Sequence, residues 1–237
     1  MFTLDELQKI IGYTFKNAEF ILNAVTHSSY INEGILRKDA LSEIQSGSNN
    51  ERLEFLGDAV LELVMSEHIY KTYPELTEGE MTKLRASIVC EPTLSKAARK
   101  LDLGSCIRMG RGEEQTGGRE RGSILADCFE SIAGAIFVDG GFDSAKSFIL
   151  KTMDEFILER RKNFMLADHK TVLQEIIQRD SKEPLEYTVI AEEGPAHQRI
   201  FVVELCHSGR KLSTGRGKSK KEAEQHCAKQ AIQVLGE

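Results

Sequence analysis

The stretch Asn50-Glu51-Arg52-Leu53-Glu54-Phe55-Leu56-Gly57-Asp58-Ala59-Val60-Leu61-Glu62 constrains this chain more than any other, because it is apolar nearly all round and yet carries four carboxylates. At about 100° per residue, Glu51, Glu54, Asp58 and Glu62 fall within roughly 80° of one another on a helix. Leu53, Phe55, Leu56, Ala59, Val60, Leu61, Leu63, Val64 and Met65 take most of the remaining circumference. A surface helix has a broad polar side; this one has a narrow acidic stripe, so the pattern predicts a buried helix with its carboxylates gathered beside packed core. Like charges placed there repel and lose hydration unless a cation compensates. The plainer reading is a solvated stripe paired with lysines.

At 237 residues the chain has room for two ordinary domains or one large one. Its net charge of −6 argues by itself against a nucleic-acid partner, but the charge is unevenly spread. Residues 1–165 hold 20 Lys and Arg against 26 Asp and Glu, whereas residues 166–237 hold 11 of each. Cys90, Cys106, Cys128, Cys206 and Cys227 form no C-x-x-C pair, and an odd number suits neither a disulfide framework nor a zinc site, so they read as reduced thiols. Met1-Phe2-Thr3-Leu4-Asp5-Glu6 has no basic leader, and no segment approaches the length of a transmembrane helix. The expectation is a cytoplasmic protein without a membrane partner.

Helical spacing runs through Leu4, Leu7, Ile10 and Ile11, breaks at Gly12, and resumes at Phe20, Ile21, Ala24 and Val25. His27, in Thr26-His27-Ser28-Ser29-Tyr30, has no nucleophile or base recognisable beside it and reads as a hydrogen-bonded structural group. A short helix and a polar loop are expected over 31–50, with Asn50 capping the acidic helix. Thr77 and Glu80 form a capping box for a helix over 80–90, in which Glu78 reads as a first-turn acid. Pro92 opens another helix over 92–101. Leu103 to Arg121 is rich in glycine and arginine and reads as a flexible basic loop whose arginines could meet phosphates.

Ser123 to Val138 is again apolar nearly all round, and Asp127 and Glu130, three apart, share one face. Two such helices packed side by side would pool their carboxylates. Asp139-Gly140-Gly141 makes a turn, and a further amphipathic helix covers 143–160. Beyond Arg160-Arg161-Lys162-Asn163 the pattern changes to a helix over 170–179, strands over 185–190, 199–206 and 211–215, and a helix over 219–235 with Ala223, Cys227, Ala228, Ala231 and Val234 on its inner side. No internal repeat is present.

Clustered Asp and Glu without His or Cys select a hard cation, magnesium or manganese, over zinc. Such an ion stabilises charge on a phosphoryl oxygen and acidifies water, so phosphodiester hydrolysis is the natural chemistry. Neither acidic helix offers a Ser-His pair or a Gly-rich phosphate loop, and no organic cofactor is implied. Between Ser208 and Lys221 stand Arg210, Lys211, Arg216, Lys218, Lys220 and Lys221 with no acid, ending at a helix start, where free N–H groups and the helix dipole suit phosphates.

Asn50-Glu51-Arg52-Leu53-Glu54-Phe55-Leu56-Gly57-Asp58 resembles the signature of ribonuclease III. The resemblance to the bacterial enzymes of that family extends through Thr26-His27-Ser28-Ser29, Glu78-Gly79, Gly117-Gly118-Arg119 and Ile124-Leu125-Ala126-Asp127. It implies a multidomain protein, an all-α endonuclease domain over 1–162, a linker over 163–168, and a small α+β (α-β-β-β-α) double-stranded-RNA-binding domain over 169–237. By the same resemblance Glu54, Asp127 and Glu130 bind the catalytic Mg2+ (Mn2+ substituting), with Asp58 and Glu130 essential to hydrolysis and Glu51 and Glu78 as supporting acids. The implied partners are double-stranded RNA and a second copy of the chain. Each subunit would cut one strand, leaving 5′-phosphate and 3′-hydroxyl ends with a short 3′ overhang, in the processing of ribosomal, messenger and transfer RNA precursors.

In the second domain the resemblance assigns three RNA-binding regions: Thr171, Gln174 and Glu175; Pro195 and His197 in the turn Gly194-Pro195-Ala196-His197; and Lys218, Ser219, Lys220 and Lys221, reading duplex shape over two minor grooves. Glu222 and Glu224 dilute the basic helix start, and Gly122 stands where the family often has an acid. A protein that binds duplex RNA without cutting it is the main rival reading. A phosphohydrolase of small molecules is a weaker one, since it leaves the C-terminal unit without a purpose.

Overall fold

A computed structural model describes residues 3–37, 49–180, 183–195 and 199–235. The chain divides into two units, Met1–Leu158 and Glu159–Glu237. Among the described residues no helix is long and apolar enough to cross a membrane.

The first unit is built of helices. α1 (Leu4–Ile11) starts at a Thr3/Glu6 capping box and stops at Gly12, whose φ of 73° is open to glycine without strain. α2 (Ala18–Ala24) begins where the Asn17 side chain accepts from the Glu19 N–H, and α3 spans Ser28–Arg37. Asp139 ties the loop between α1 and α2 to the rest of the unit, accepting from the Tyr13 hydroxyl at 2.8 Å and from the N–H groups of Lys16 and Asn17.

α4 (Glu51–Thr72) carries the acidic stripe. Asn50 is not its side-chain cap; the Asn49 carboxamide accepts from the Glu51 N–H instead. Asn50 is buried and serves through its backbone, its N–H donating to Thr26 O and its carbonyl accepting from Leu53 and Glu54 N–H. The expected burial of α4 holds on one side, where Val60, Leu61, Val64, Met65 and Ile69 are covered. On the other side Phe55 is 82% exposed, Leu63 57% and Tyr70 70%.

α5 (Glu78–Ile88) opens with the Thr77/Glu80 capping box, and α6 (Glu91–Lys100) has proline in its first turn. The glycine- and arginine-rich segment after it is not a loose loop. It folds into α7 (Leu103–Cys106), α8 (Arg111–Gln115) and a 3-10 turn at Gly118–Glu120. Its glycines serve close approach: a Cβ on Gly104 would stand 2.4 Å from Arg119 O, and one on Gly110 2.8 Å from Ser29 O. Two of its arginines are spent on the fold, Arg119 donating to Gly104 O and Ile107 O and pairing with Glu114, and Arg121 pairing with Glu113.

α9 (Gly122–Asp180) contains a break at Gly141, with φ 80° and ψ −178°, where the glycine turn is expected. Helical backbone continues through 163–168. Before the break, α9 supplies Leu125, Phe129, Ile132 and Ile136 to the core of the first unit, and Phe129 meets Phe148 at 5.4 Å between ring centroids.

In the second unit the tail of α9 precedes β1 (Leu185–Glu193), β2 (Ile200–His207) and β3 (Arg210–Gly217), an antiparallel meander in the order β1-β2-β3, closed by α10 (Lys220–Leu235). Ser208 and Gly209 both have positive φ, 52° and 71°, as a two-residue hairpin turn with the twist of its strands requires. Leu173, Val203, Leu205, Ala223, Cys227, Ala228 and Ala231 form the core. Val234, expected inside, is 73% exposed, while Ile232 two residues before it packs against the core. Gly215 lets α10 lie directly on β3, since a Cβ there would be 2.2 Å from Ala223 O.

Candidate functional site

The geometry of the acidic site begins with two glycines. A Cβ on Gly57 of α4 would stand 1.8 Å from Glu130 O of α9, and one on Gly134 of α9 would stand 2.3 Å from Leu53 O of α4. The helices therefore touch backbone to backbone, an approach that only glycine allows. Ser131 adds a clasp, its hydroxyl lying 2.7 Å from Asp127 O and 3.2 Å from Asn50 O. One turn away from these contacts, Glu54 of α4 meets Asp127 and Glu130 of α9, with a carboxylate oxygen from each lying within 4.8 Å of the others.

All three are half-buried, and no ion pair among the described residues reaches them. Burial is the main force on Glu130, followed by the charges of Asp58, Asp127 and Glu54, and together they push its pKa up to about 8. Glu54 is raised by burial and then by Asp127, Glu51 and Asp58. Asp127 is raised by burial and by Glu91, against a lowering by His27. Carboxylates that resist ionisation because they are buried, with other acids close by, are suited to a divalent ion, whose charge offsets both costs. Three oxygen donors without thiolate or imidazole fit a hard cation.

The remaining acids lie apart from that set. Asp58 is exposed one turn beyond Glu54 and bears on Glu54 and Glu130 through its charge. Glu51 is exposed in the first turn of α4. Glu78 begins α5, accepts from the Thr82 hydroxyl at 3.1 Å, and lines a groove of about 360 Å³ with Leu63, Ile69, Tyr70 and Met81. Glu62 lies 3.9 Å from Arg85. His27 is hydrogen-bonded as expected, its Nδ1 2.8 Å from the Ser29 hydroxyl.

In the second unit Thr171, Gln174 and Glu175 are exposed on one face of the α9 tail, with Leu173 turned into the core. Pro195 is exposed after Gly194, and His197 lies outside the described residues. Lys218, Lys220 and Lys221 are exposed and enter no ion pair among the described residues. Ser219 caps α10, its hydroxyl accepting from the Glu222 N–H at 3.2 Å. The two acids beside the basic start are both engaged: Glu222 accepts from the Lys218 N–H and Glu224 pairs with Lys170, each at 2.8 Å. Sequence reasoning missed Gly134 as a spacing element and Glu91 as a neighbour of Asp127. A glycine in an otherwise unbroken buried helix is the available signal for the first; Glu91, just ahead of the helix expected from Pro92, carries no signal of its own.

A helical unit with an oxygen-donor site, followed by an α-β-β-β-α unit with an unpaired basic helix start, defines a nuclease of structured RNA. Residues 17–156 match the family described as ribonuclease-III-like, and residues 169–235 match the double-stranded RNA binding motif. Ribonuclease 3 of Desulforamulus reducens is 48% identical over 231 residues, covering 98% of this chain and 91% of that protein. Ribonuclease 3 of Halalkalibacterium halodurans is 48% identical over 233 residues, covering 98% of this chain and 85% of its own. Among solved structures, the nuclease domain of ribonuclease III from Campylobacter jejuni, described for flexibility in the region involved in its dimer formation, is 38% identical with a TM-score of 0.57, covering 65% of this chain and 97% of that one. The chain belongs to the ribonuclease III family and is an endoribonuclease of that type.

Proposed function

We propose that this chain hydrolyses phosphodiesters in double-stranded RNA with a divalent ion, Mg2+ or in its place Mn2+, held by Glu54, Asp127 and Glu130. The observation that carries the reading is the meeting of those three carboxylates within 4.8 Å on two helices in backbone contact. A bound ion supplies Lewis-acid stabilisation of charge on the phosphoryl oxygens. The protein's part is to keep the ligands fixed, and Asp58, exposed beside them, is placed to orient water at the scissile phosphate. Glu51 and Glu78 act from the margin of the site.

The exposed Phe55, Leu63 and Tyr70 face of α4 is the surface for a second copy of the chain, so that two acidic sites serve the two strands of one duplex. Duplex capture falls to the second unit. Thr171, Gln174, Glu175, Pro195 and His197 contact the minor grooves, and Lys218, Ser219, Lys220 and Lys221 the phosphates between them. The role is processing of ribosomal RNA precursors and other structured transcripts in the cytoplasm.

Incubation with a long RNA duplex and Mg2+ tests the reading. The expected products carry 5′-phosphate and 3′-hydroxyl ends with short 3′ overhangs. Duplex that is bound and remains intact overturns it in favour of a non-cleaving binding protein.

A further inference from the structure

Lys170 stands just ahead of Thr171, Gln174 and Glu175 in the tail of α9, and groups from two other elements of the second unit meet on it. Its N–H donates to the Gln225 Oε1 of α10 at 3.1 Å, and its Nζ lies 2.8 Å from the carboxylate of Glu224 on the same helix. That Nζ also stands over the Tyr187 ring of β1, 4.1 Å from the centroid. Gln225 is buried and both ends of the ion pair are partly covered, so these contacts are better held than those of an open surface pair. Glu224 has another cation in its own helix. It follows Lys220 by four residues, the spacing of a helical pair, yet it turns across to Lys170 and leaves Lys220 with no ion pair among the described residues. Packing is incomplete beside these contacts. A groove of about 360 Å³, bordered by Lys170, Gln174, Gln178, Leu185 and Tyr187, lies between the α9 tail and the start of β1.

We propose that Lys170 and Glu224, with Gln225, are positioning residues for duplex binding: they fix the spacing between the helix face of Thr171, Gln174 and Glu175 and the α10 start of Lys218, Lys220 and Lys221, so that both engage one duplex together. The inference rests on the RNA contacts proposed above. Two weak contact regions held at a span that matches the duplex act as one strong site, and they lose that advantage when the span is free to vary. This gives a reason for an acid on a basic helix start. Glu224 subtracts one charge from the phosphate-binding surface and supplies a fixed geometry in its place. A lysine that served only as a phosphate contact would have no use for a carboxylate partner and a seat on an aromatic ring.

Duplex affinity of the full chain, measured in chelator by fluorescence anisotropy, tests the assignment through its sign. On charge alone, removing an acid beside Lys220 and Lys221 strengthens binding. Glu224→Ala is expected instead to weaken it by about tenfold on a duplex of about 16 base pairs, which offers two minor grooves. A duplex of about 8 base pairs, which offers one, should bind the variant at least as well as the parent, a result that damage to the fold would not give. Lys170→Arg keeps a cation for Glu224 and for the ring, and its affinity should stay within about twofold of the parent. Lys170→Ala added to Glu224→Ala should bring little further loss, since the pair is already broken. Unchanged or tighter binding of the long duplex by Glu224→Ala, an equal loss on the short one, or a full additional loss from Lys170→Ala overturns the proposal. Lys220→Ala measured alongside keeps the two readings apart. If it weakens binding while Glu224→Ala does not, the RNA surface stands and only the spacing role falls; if Lys220→Ala binds the long duplex normally, the RNA surface itself is misplaced.

Discussion

Around Glu54, Asp127 and Glu130 the first unit collects carboxylates and brings no lysine or arginine into an ion pair with them. In the second unit acids stand beside cations and are paired off: Glu192 with Arg199, Glu193 with Arg216, Glu204 with Lys211 and Glu224 with Lys170. Lys218, Lys220 and Lys221 at the start of α10 are exposed and enter no ion pair among the described residues. Unpaired carboxylates thus gather at the acidic site of the first unit and unpaired lysines at the helix start of the second, and each sign suits a different ligand. Surface pairs contribute little to stability, so the informative charges are the ones without a partner.

The comparison is broken most severely through Glu130. Glu130→Gln is expected to lower single-turnover cleavage by at least about a thousandfold, because it removes one donor from an ion that supplies several kcal/mol to the transition state. Duplex affinity measured by gel shift should stay as it was. A parallel loss of binding would show that the two units do not divide the work.

Next in size is Phe55→Asp. Burying one phenylalanine contributes about 1.5–3 kcal/mol, and a two-fold interface has two of them, so self-association should weaken by on the order of a hundredfold or more. Sedimentation equilibrium reads this directly, and an unaltered association state would make the exposed apolar face of α4 a surface without a partner. Lys220→Ala comes third. It should weaken duplex binding by several-fold regardless of sequence and lower the slope of log affinity against log salt by about one, with cleavage of saturating duplex retained.

The smallest effect is on stability in the absence of metal. Glu130 has its pKa raised from 4.5 to about 8 in the folded protein, so the folded state holds a proton that the unfolded chain releases. Stability from this group is present below about pH 4.5 and is lost as pH rises through about 8. Glu54 and Asp127 are shifted in the same direction and add to the trend. In chelator the melting temperature should fall by a few degrees, roughly, between mildly acidic and mildly alkaline buffer. Glu130→Gln should flatten that slope, and saturating Mg2+ should offset it.

The acids of the centre are legible in sequence because helical periodicity places Glu54 with Asp58, and Asp127 with Glu130, whatever the helices pack against. The strands and the hairpin at Ser208-Gly209 are legible for the same local reason. Phe55, Leu63 and Tyr70 mislead, since an apolar side chain signals that it is to be covered without saying whether its own chain covers it. The segment over 103–121 misleads in the other direction. Its glycines look like freedom, and in Gly104 and Gly110 they are points of contact. Asn50 has the chemistry of a cap and is used for its backbone, a choice made by Thr26 and Ser131 far away in the chain.

The glycine contact between α4 and α9 has a consequence for how this enzyme can change. Where side chains set the distance between two helices, substitutions of similar volume can widen or narrow it by small steps. Here Gly57 and Gly134 leave no side chain to exchange. The gap across which Glu54 faces Glu130 therefore has a floor and no dial, and drift in the surrounding core can proceed without retuning it. Anyone wishing to fit a larger ion would have to displace a whole helix, and the first methyl group added at either glycine would do so abruptly.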